Sequence, residues 1–395
     1  MKHIETIGLF GFGVVGEGLF QLLKNNKIMN TEIKKICIKQ RSKQRSVSQH
    51  LLTYNANDIL DDEKISLVVE LIDDDQSAYD IVKHALLNGK SVVSGNKKML
   101  AKHLEEFIQL QQIHSSALLY DASACGSVPV VRNLEEYYDN DLLKSITGIL
   151  NGSSNYILSQ IFSKGENYHS ALKAAQALGY AESDPSSDVE GLDALYKLVI
   201  ITCHGFGAYV PPDSVFCYGI SQIKNFDIQF AKEKNLKIKL IARVEKVNND
   251  HFTMFVMPKL VQPDEYIYNV EDENNGVIIE GECYDKQLMF GKGAGAFPTA
   301  SSVLSDITAR NYNYKYEYKK RNYFKKMSYS INTELEIYLR YDNLSDYNHF
   351  EFESIFEKYF GKGFNYVIGS IKLNNLLKIQ KVIKKLDVFL AFTGN

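Results

Sequence analysis

GFGVVG, at residues 11–16, is the stretch that decides the fold, because it stands between a predicted strand and a predicted helix. A G-x-G-x-x-G pattern in that context is typical of a dinucleotide-binding unit. Gly11 permits the tight turn, Gly13 lets a pyrophosphate approach backbone N–H groups, and Gly16 allows the helix to pack closely on the strand. A plain turn is the alternative interpretation, but the context favours a Rossmann-type domain.

The chain around this loop alternates short β-branched runs with helical patterns. Strands are predicted at 4–10, 32–38, 67–72, 91–94 and 117–121, and helices at 14–24, 76–87 and 98–114. Such alternation predicts a parallel, doubly wound sheet with helices on both faces. Ligands of these sheets gather at the carboxyl ends of the strands, so the loops there are candidates for chemistry.

The pattern changes near Asn151. Helices are predicted at 154–162, 169–178 and 191–206, and strands within 237–291. The strand-rich stretch predicts one mixed or antiparallel sheet covered by helices. A glycine-rich loop at 291–298 then leads into a helix at 299–310, which is expected to return to the Rossmann domain.

The predicted architecture is α/β with several domains. We expect an N-terminal Rossmann-type dinucleotide-binding domain at 1–135, joined by a returning helix at 299–312. An α+β substrate-binding and dimerisation domain with a mixed or antiparallel sheet is expected at 136–298, followed by a small α+β C-terminal module at 313–395. The tail from Thr333 is predicted as strand, helix, strand, helix and strand.

Composition narrows the class of function. A chain of 395 residues with 45% hydrophobic and 24% charged residues can bury a large core, and its length predicts two or three domains. A net charge of -3 provides no field that would attract nucleic acid or a membrane surface, so neither is expected as a partner. The five cysteines are widely spaced and are expected to be reduced. No apolar run reaches membrane-spanning length, which predicts a cytoplasmic protein acting on a small-molecule substrate.

One segment, 312–326, interleaves aromatic and basic residues as some nucleic-acid-binding surfaces do. Its tyrosines alternate from Tyr312 to Tyr318, which favours a strand laid on a domain surface with its charges outward. Nucleic acid is therefore not expected to bind here.

The end of the second predicted strand indicates the choice of cofactor. An NAD site usually offers an acid to the ribose hydroxyls at this point, whereas this chain has Lys39, Gln40 and Arg41. Cations without an acid favour the 2′-phosphate of NADP, with NAD as the alternative. The other interpretation is a solvated turn.

An acidic segment, 179–198, is the strongest candidate for the chemistry. Many acids in one loop often bind a metal or face water, but the following helix is apolar in nearly every direction and so is predicted to be buried. Asp193 and Lys197 are four residues apart and share a face of that helix. A buried pair of this kind is a candidate functional site, because a lysine can protonate a carbonyl oxygen as hydride arrives.

Two further candidates follow strands of the Rossmann domain. Lys97, in VVSGNKK, is better placed than Lys98 to face a ligand; a solvent-exposed lysine at a helix start is the alternative. Cys125, in DASACGSVP, could act as a nucleophile, but no histidine is linked to it by a motif. We interpret Cys125 as structural.

Six motifs resemble, in order, those of the homoserine dehydrogenase family, and the resemblance runs from residue 4 to residue 310. They are GFGVVG, VVSGNKK, YDASACGSVP, GILNGSSNYIL, LGYAESDPSSDVEGLDALYKL and GKGAGAFPTASSVLSDI. The resemblance implies reversible, NAD(P)H-dependent reduction of L-aspartate 4-semialdehyde to L-homoserine, on the route to threonine and methionine. A homodimer is also expected.

The resemblance implies a role for each matching residue. Lys197 and Lys97 would be the catalytic lysines, which assist hydride and proton transfer. Substrate contacts are implied for Glu182, Asp188, Asp193 and Ser153. Cofactor contacts are implied for Gly11, Phe12, Gly13, Val14, Val15, Gly16, Lys39, Arg41, Asn96, Lys97 and Gly293. A monovalent cation such as sodium is implied in the loop 121–128, with Asp121, Ala124, Gly126 and Val128 as ligands.

The chain departs from the family pattern at several positions. Asp121 stands where a glutamate is usual. Its side chain is one methylene shorter, which would move or abolish the implied cation site. Asp73 and Asp74 stand where glycines near the cofactor are common, and added negative charge there weakens pyrophosphate binding unless the side chains point away. Ser153 replaces a threonine and keeps the hydroxyl.

Many members of the family carry a C-terminal ACT module that binds an amino-acid effector. The predicted tail resembles a shortened ACT-like domain with one strand fewer than usual. The turn after Arg340, YDNLSDYNHF, lacks the glycine that normally brings backbone N–H groups to an effector. Weak or absent inhibition by threonine is therefore expected.

Two other functions compete with this interpretation. An acylating semialdehyde dehydrogenase using Cys125 would require phosphate or arsenate. A non-enzymatic, NADP-binding amino-acid sensor would bind ligand without turnover. The absence of a cysteine-histidine motif argues against the first, and the presence of Lys97 and Lys197 argues against the second.

Overall fold

The computed structural model describes residues 5–25, 31–140, 142–361 and 363–394. The chain divides into two units, which we call the first unit (Met1–Asp139 and Lys292–Asn322) and the second unit (Asn140–Gly291 and Tyr323–Asn395). Residue 4, where the first strand is predicted to begin, lies outside the described residues. The fold class is the predicted one, α/β with a Rossmann-type sheet and a larger mixed sheet.

The strands are numbered in chain order. They are β1 (Glu5–Phe10), β2 (Thr31–Cys37), β3 (Leu52–Thr53), β4 (Leu67–Glu70), β5 (Ser91–Ser94), β6 (Leu118–Leu119), β7 (Leu143–Ile149), β8 (Phe216–Cys217), β9 (Lys237–Lys246), β10 (His251–Val261), β11 (Asn274–Gly281), β12 (Asp285–Lys292), β13 (Ser328–Tyr329), β14 (Glu334–Tyr341), β15 (Phe352–Phe360), β16 (Asn365–Lys372) and β17 (Val388–Phe392). The first six form one sheet in the first unit, and the others form the sheet of the second unit.

The helices are numbered in the same way. They are α1 (Val14–Asn25), α2 (Asn57–Leu60), α3 (Asp75–Leu87), α4 (Lys97–His114), α5 (Ala122–Cys125), α6 (Val130–Glu136), α7 (Gly152–Lys164), α8 (Tyr168–Ala177), α9 (Ser186–Val189), α10 (Leu192–Phe206), α11 (Asn225–Glu233), α12 (Ala296–Asn311), α13 (Lys319–Tyr323), α14 (Leu344–Tyr347) and α15 (Leu373–Ile383). Short 3-10 turns lie at Gln49–Leu51, Pro212–Ser214 and Tyr266–Asn269. No helix of the described ranges has the length and apolar character needed to cross a membrane.

The sheet of the first unit is parallel and doubly wound. Its strands run in the order β3-β2-β1-β4-β5-β6, and all neighbouring strands are parallel. β4 and β5 are buried along their whole length, as expected of central strands covered on both faces. The strand order reverses beside β1, so the loop after β1 opens at the switch point where such sheets bind nucleotides.

Helix α12 belongs to the first unit although it follows the strands of the second. It packs against α1 so closely that a Cβ atom on Gly18 would lie 2.9 Å from the Ala296 carbonyl oxygen. The helix is longer than the predicted one, and the chain stays in the first unit as far as Asn322.

The tyrosine segment that follows α12 has alternating burial. Tyr316 and Tyr318 are buried, while Lys315 and Glu317 between and beside them are exposed. The Tyr318 hydroxyl lies 3.1 Å from that of Tyr120, and Gln111 donates to it at 2.9 Å. The predicted strand is wrong, because these residues do not pair with a sheet and helix α13 begins at Lys319. Lys315 and Glu317 face outward as predicted, whereas Lys320 is buried.

The sheet of the second unit has the path β12-β11-β7-β9-β10-β17-β14-β16-β15, with β8 and β13 also pairing with β10. It is mixed, because β8, β13 and β17 run parallel to β10 while β9 runs antiparallel to it. Helix α10 is buried except at Leu192 and Tyr196, which confirms the burial predicted from its apolar pattern.

The prediction for the tail was wrong in the number of strands. The segment contains β14, α14, β15, β16, α15 and β17, which is the β-α-β-β-α-β order of ferredoxin-like modules. The prediction has one strand between the two helices, where the structure has β15 and β16. Most side chains of the edge strand β15 are exposed, so its sequence carries no alternation between buried and exposed positions. The argument from a missing strand against an effector site therefore falls, and only the glycine-free turn supports weak threonine inhibition.

The tail is also continuous with the rest of the second unit. β17 pairs with β10 through Lys259 and Phe392, so the two sets of strands form one sheet. The independence of a module at 313–395 stays a prediction.

Candidate active site

The glycine-rich loop after β1 has the shape that a dinucleotide requires. Gly11 has a φ of 91°, and a Cβ atom there would lie 2.4 Å from the Leu71 carbonyl oxygen. A Cβ on Gly16 would lie 2.3 Å from the Gly11 carbonyl oxygen. A Cβ on Gly13 would meet nothing within 4 Å. The first and third glycines thus allow close backbone packing, while the second leaves open space where a pyrophosphate would approach.

The surroundings of this loop include two residues that sequence reasoning missed. The Arg45 guanidinium, in the segment that follows β2, donates to the Phe12 carbonyl and so braces the turn. Glu70, at the end of β4, is fully buried and accepts from the Ser94 hydroxyl at 2.6 Å and the Ile72 N–H at 2.7 Å. Burial raises the pKa of the Glu70 carboxyl to about 7. Neither residue belongs to a motif, so only the folded chain shows their placement.

The cations after β2 and the start of α1 are accessible. Lys39 and Arg41 are exposed, and the Arg41 guanidinium lies 4.6 Å from the centre of the Tyr54 ring. Val14 is exposed and Val15 is half-buried at the first turn of α1. This arrangement leaves the cations available to an anionic ligand.

Two of the aspartates after β4, Asp74 and Asp75, make polar contacts at the start of α3. The Asp74 side chain caps the helix by accepting from the Ser77 N–H at 2.8 Å. Asp75 pairs with Lys102 at 2.7 Å and with Lys98 at 2.8 Å, and these hydrogen bonds lower the pKa of Asp75 to about 2. The charge of Asp75 is therefore compensated within the first unit, whereas Asp73 and Asp74 are exposed. The effect of Asp73 and Asp74 on cofactor binding stays a prediction.

Lys97 is the first residue of α4, directly beyond β5. It is half-buried, while the neighbouring Lys98 is engaged by Asp75. Asn96 caps α4 through the Met99 N–H at 2.9 Å and donates to the Ile72 carbonyl at 3.0 Å. The preference for Lys97 over Lys98 as a catalytic residue stays a prediction. Asn96 joins the loops after β4 and β5.

A buried carboxylate cluster anchors the loop after β6. The Asp121 carboxylate accepts from the Arg132 N–H at 3.0 Å, and the Asp121 N–H donates to Asp306 at 2.9 Å. The Arg132 guanidinium pairs with Asp306 at 2.5 Å. Burial raises the pKa of the Asp306 carboxyl. Asp306, on α12, therefore holds this loop and α6 together, a role that no motif indicated.

The turn at the end of α5 fits closely against the chain after β12. A Cβ on Gly126 would lie 2.5 Å from the carbonyl of Gly293, and the Ser127 N–H donates to the Lys292 carbonyl at 3.1 Å. Cys125 is completely buried. A thiol without solvent access is a poor nucleophile, which supports the structural interpretation of Cys125.

In the second unit, Asp193 and Lys197 form the predicted pair. The Lys197 Nζ lies 2.8 Å from Asp193 Oδ2 and donates to the Leu150 carbonyl at 2.6 Å. The side chains are 5% and 8% exposed, so the pair is almost completely removed from solvent. An ammonium held by one carboxylate and one carbonyl has a third N–H available to another acceptor.

Asn151 connects this pair to Asp188 and was missed as a functional candidate. Its Nδ2 donates to Asp188 Oδ1 at 2.6 Å and to Asp193 Oδ2 at 2.9 Å. Its Oδ1 accepts from the Ser154 N–H at 2.8 Å and so caps α7. The contact of Asn151 with two acids far from it in the chain could not be read from spacing.

The remaining implied substrate residues are less closely tied to the cluster. Ser153 is half-buried, and its hydroxyl donates to the Tyr180 carbonyl. Glu182 is exposed, and within the described ranges no side-chain hydrogen bond or ion pair joins it to Asp188 or Asp193. No group of three or more potential metal-ligating side chains occurs in the part of the chain that the structure describes.

Two family models cover most of the described chain. A model of the homoserine dehydrogenase NAD-binding domain matches residues 11–121, and a model of homoserine dehydrogenase matches residues 129–308. The homoserine dehydrogenase of Bacillus subtilis is 35% identical over 318 residues, which are 78% of this chain and 73% of that protein. The chain belongs to the homoserine dehydrogenase family. It is an oxidoreductase with an NAD(P)-binding domain.

Other homoserine dehydrogenases agree with this assignment. That of Synechocystis is 34% identical over 311 residues, 76% of this chain and 72% of that protein. A crystal structure from Thiobacillus denitrificans has a TM-score of 0.85 at 28% identity and covers 99% of this chain and 98% of that one. A hyperthermophilic archaeal homoserine dehydrogenase solved with NADPH has a TM-score of 0.68 at 23% identity, over 79% of this chain and 98% of that one, and shares the fold.

Proposed function

We propose that this chain reduces L-aspartate 4-semialdehyde to L-homoserine with NADPH, and catalyses the reverse reaction, with Lys197 as the proton donor. The observation that carries the proposal is the buried Asp193–Lys197 pair, fixed at 2.8 Å beside the Leu150 carbonyl. Burying both charges lowers the stability of the fold, because both ions lose their hydration. It is expected where a protonated amine has to be held for chemistry.

Each side chain has a task in this proposal. The nicotinamide cofactor supplies the hydride when it is bound. Lys197 donates a proton to the substrate oxygen as negative charge develops there, and Lys97 contributes a second cation. Asp188, Asp193 and Glu182 attract the substrate ammonium, and Asn151 fixes the directions of the first two carboxylates.

The direct test is oxidation of L-homoserine by NADP, with L-serine and L-threonine as alternative substrates. The proposal predicts turnover of homoserine in strong preference to both, because only its primary hydroxyl lies at the correct distance from the α-ammonium. A preference for serine or threonine over homoserine would contradict the proposed substrate.

The acidic loop allows a prediction about substrate binding. Asp188→Asn removes the charge that Asn151 orients, so KM for homoserine is expected to rise about ten- to a hundredfold, in line with the loss of one charge-assisted contact. Glu182→Gln is expected to raise KM less, because Glu182 is exposed. Steady-state kinetics with both variants provide the measurement.

The matched control is Asp184→Asn in the same loop. The Asp184 carboxylate accepts from the Ser186 N–H at 3.1 Å within its own turn and is not assigned to the substrate. Its KM is expected to remain near that of the wild type. Unchanged kinetics in both Asp188→Asn and Glu182→Gln would show that the loop is merely solvated.

A second prediction concerns the cofactor. Lys39 and Arg41 are exposed after β2 and no acid replaces them there, so a 2′-phosphate gains charge-assisted hydrogen bonds. We expect kcat/KM to favour NADP over NAD by roughly ten- to a hundredfold at low salt, and Arg41→Ala and Lys39→Ala to reduce that ratio.

Lys43 is a neighbouring exposed lysine, so Lys43→Ala is the control for the loss of a positive charge alone. Equal or better kinetics with NAD, unaltered by the substitutions at Lys39 and Arg41, would mean that these cations are only a solvated turn.

A monovalent cation in the loop 121–128 is a further part of the proposal. Carbonyl and carboxylate oxygens are suitable ligands for a hard cation, and the implied ligands Asp121, Ala124, Gly126 and Val128 offer them. The Asp121 carboxylate already accepts from Arg132, so backbone carbonyls would supply most of the contacts. A higher melting temperature in sodium chloride than in choline chloride at equal ionic strength would support the site. The homodimer and the cytoplasmic location stay predictions.

A further inference from the structure

The Leu150 carbonyl accepts a hydrogen bond from Lys197 and a second one from another side chain. Asn275 Nδ2 donates to the Leu150 oxygen at 3.0 Å, while Lys197 Nζ donates to the same oxygen at 2.6 Å. A carbonyl oxygen can only accept, so the nitrogen end of the Asn275 amide must face it. Both lone pairs of Leu150 are thereby engaged, and the position of this oxygen is set from two sides.

The strand register explains why Asn275 lies there. β11 runs antiparallel to β7, and Gly276 pairs with Ile149. The residue before Gly276 is therefore brought alongside the residue after Ile149, which is Leu150. Neither motif spacing nor periodicity connects positions 150, 197 and 275, which lie just after β7, in α10 and in β11.

The other end of the amide has no protein partner. Asn275 is completely buried, and its Oδ1 accepts no hydrogen bond from the described residues. An unsatisfied buried acceptor opposes folding, and a leucine of similar shape would avoid that cost. Asparagine at this position is therefore explained by its donor to Leu150 and not by packing.

We propose that Asn275 is a positioning residue for Lys197, acting through the Leu150 carbonyl. This inference depends on the role proposed above for Lys197. When Asn275 holds the carbonyl, the ammonium is held against Asp193 on one side and Leu150 on the other, and its remaining N–H is directed. Loss of this support lets the carbonyl and the ammonium move, and misplacement by about 1 Å is enough to slow a reaction by about 100-fold.

The test is Asn275→Leu, alone and combined with Lys197→Ala. In the wild-type background kcat is expected to fall about 10- to 100-fold. KM for homoserine and the dissociation constant of NADPH are expected to change less than about threefold, and the melting temperature is expected to be maintained or raised. In the Lys197→Ala background the same substitution is expected to have no further effect on kcat, because its action passes through the lysine.

Asn274→Ala is the matched control. Asn274 is the neighbouring amide on β11, half-buried, and its Nδ2 donates to the Glu271 carbonyl at 2.9 Å, so kcat is expected to stay near the wild-type value. If Asn275→Leu does not fold, Asn275→Ser, which is smaller and polar, replaces it in both backgrounds.

The outcomes separate the two proposals. An equal loss of kcat from Asn275→Leu with and without Lys197 would overturn the positioning role while leaving Lys197 itself in place. An unchanged kcat in the single variant would also overturn it. Full turnover in Lys197→Ala would instead overturn the role of Lys197 on which this inference depends.

Discussion

Replacement of Lys197 by alanine is expected to lower kcat by about 10²–10⁴-fold, the usual cost of removing a positioned proton donor. The reason is geometric, since the ammonium is held at 2.8 Å from Asp193 and 2.6 Å from the Leu150 carbonyl in a buried position. The dissociation constant of NADPH is expected to change little, because the glycine-rich loop belongs to the other unit. Pre-steady-state and steady-state kinetics of homoserine oxidation provide the measurement.

The stability of this variant needs its own control. Removal of one partner from a buried ion pair leaves an uncompensated charge at Asp193, which costs about 3–5 kcal/mol of unfolding free energy. Lys197→Met combined with Asp193→Asn removes both charges, and it is expected to recover much of the stability without recovering activity. Near-normal turnover in a folded Lys197 variant would remove the lysine from the mechanism.

Gly13→Ala is expected to produce the second large effect, a rise of about 100-fold in the dissociation constant of NADPH. A methyl group at Gly13 meets no protein atom within 4 Å, so the fold should accept it. The same methyl group would occupy the space through which the pyrophosphate approaches the start of α1. Fluorescence titration with NADPH, together with thermal unfolding, measures both quantities.

Gly16→Ala is the contrasting control in the same loop. Its Cβ would lie 2.3 Å from the Gly11 carbonyl oxygen, so this substitution is expected to lower the melting temperature even without cofactor. If Gly13→Ala bound NADPH as tightly as the wild type, the pyrophosphate could not lie over this turn.

The parts of the site that the sequence predicted share one property: their residues lie close together in the chain. The glycine loop was recognisable because strand, turn and helix follow one another directly. Asp193 and Lys197 were recognisable because both lie on one buried helix at a spacing of four. Local spacing is sufficient for such features.

The parts that were missed depend on long-range pairing. Asn151 contacts Asp188 and Asp193 from the start of another helix, and Asn275 reaches Leu150 only through the register of β11 on β7. Asp306 holds the loop after β6 from a helix 185 residues further along the chain. No spacing rule connects these positions, because they are brought together by the tertiary fold.

The fold shows the same distinction. The parallel order of the first sheet followed from alternating strands and helices, whereas only one strand was predicted where the tail has β15 and β16. The edge strand β15 shows why such a strand is hard to recognise. Its apolar side chains are exposed at a sheet edge, so the period-two signal of a half-buried strand is absent.

The central claim is tested most directly by NADPH oxidation with L-aspartate 4-semialdehyde in phosphate-free buffer, with identification of the product. The account predicts rapid NADPH consumption, one equivalent of L-homoserine for each NADPH, and no effect of added phosphate. NADP reduction that requires phosphate or arsenate would indicate acylating chemistry at Cys125 instead. Binding of NADPH and substrate without any turnover by the folded wild-type protein would contradict the account altogether.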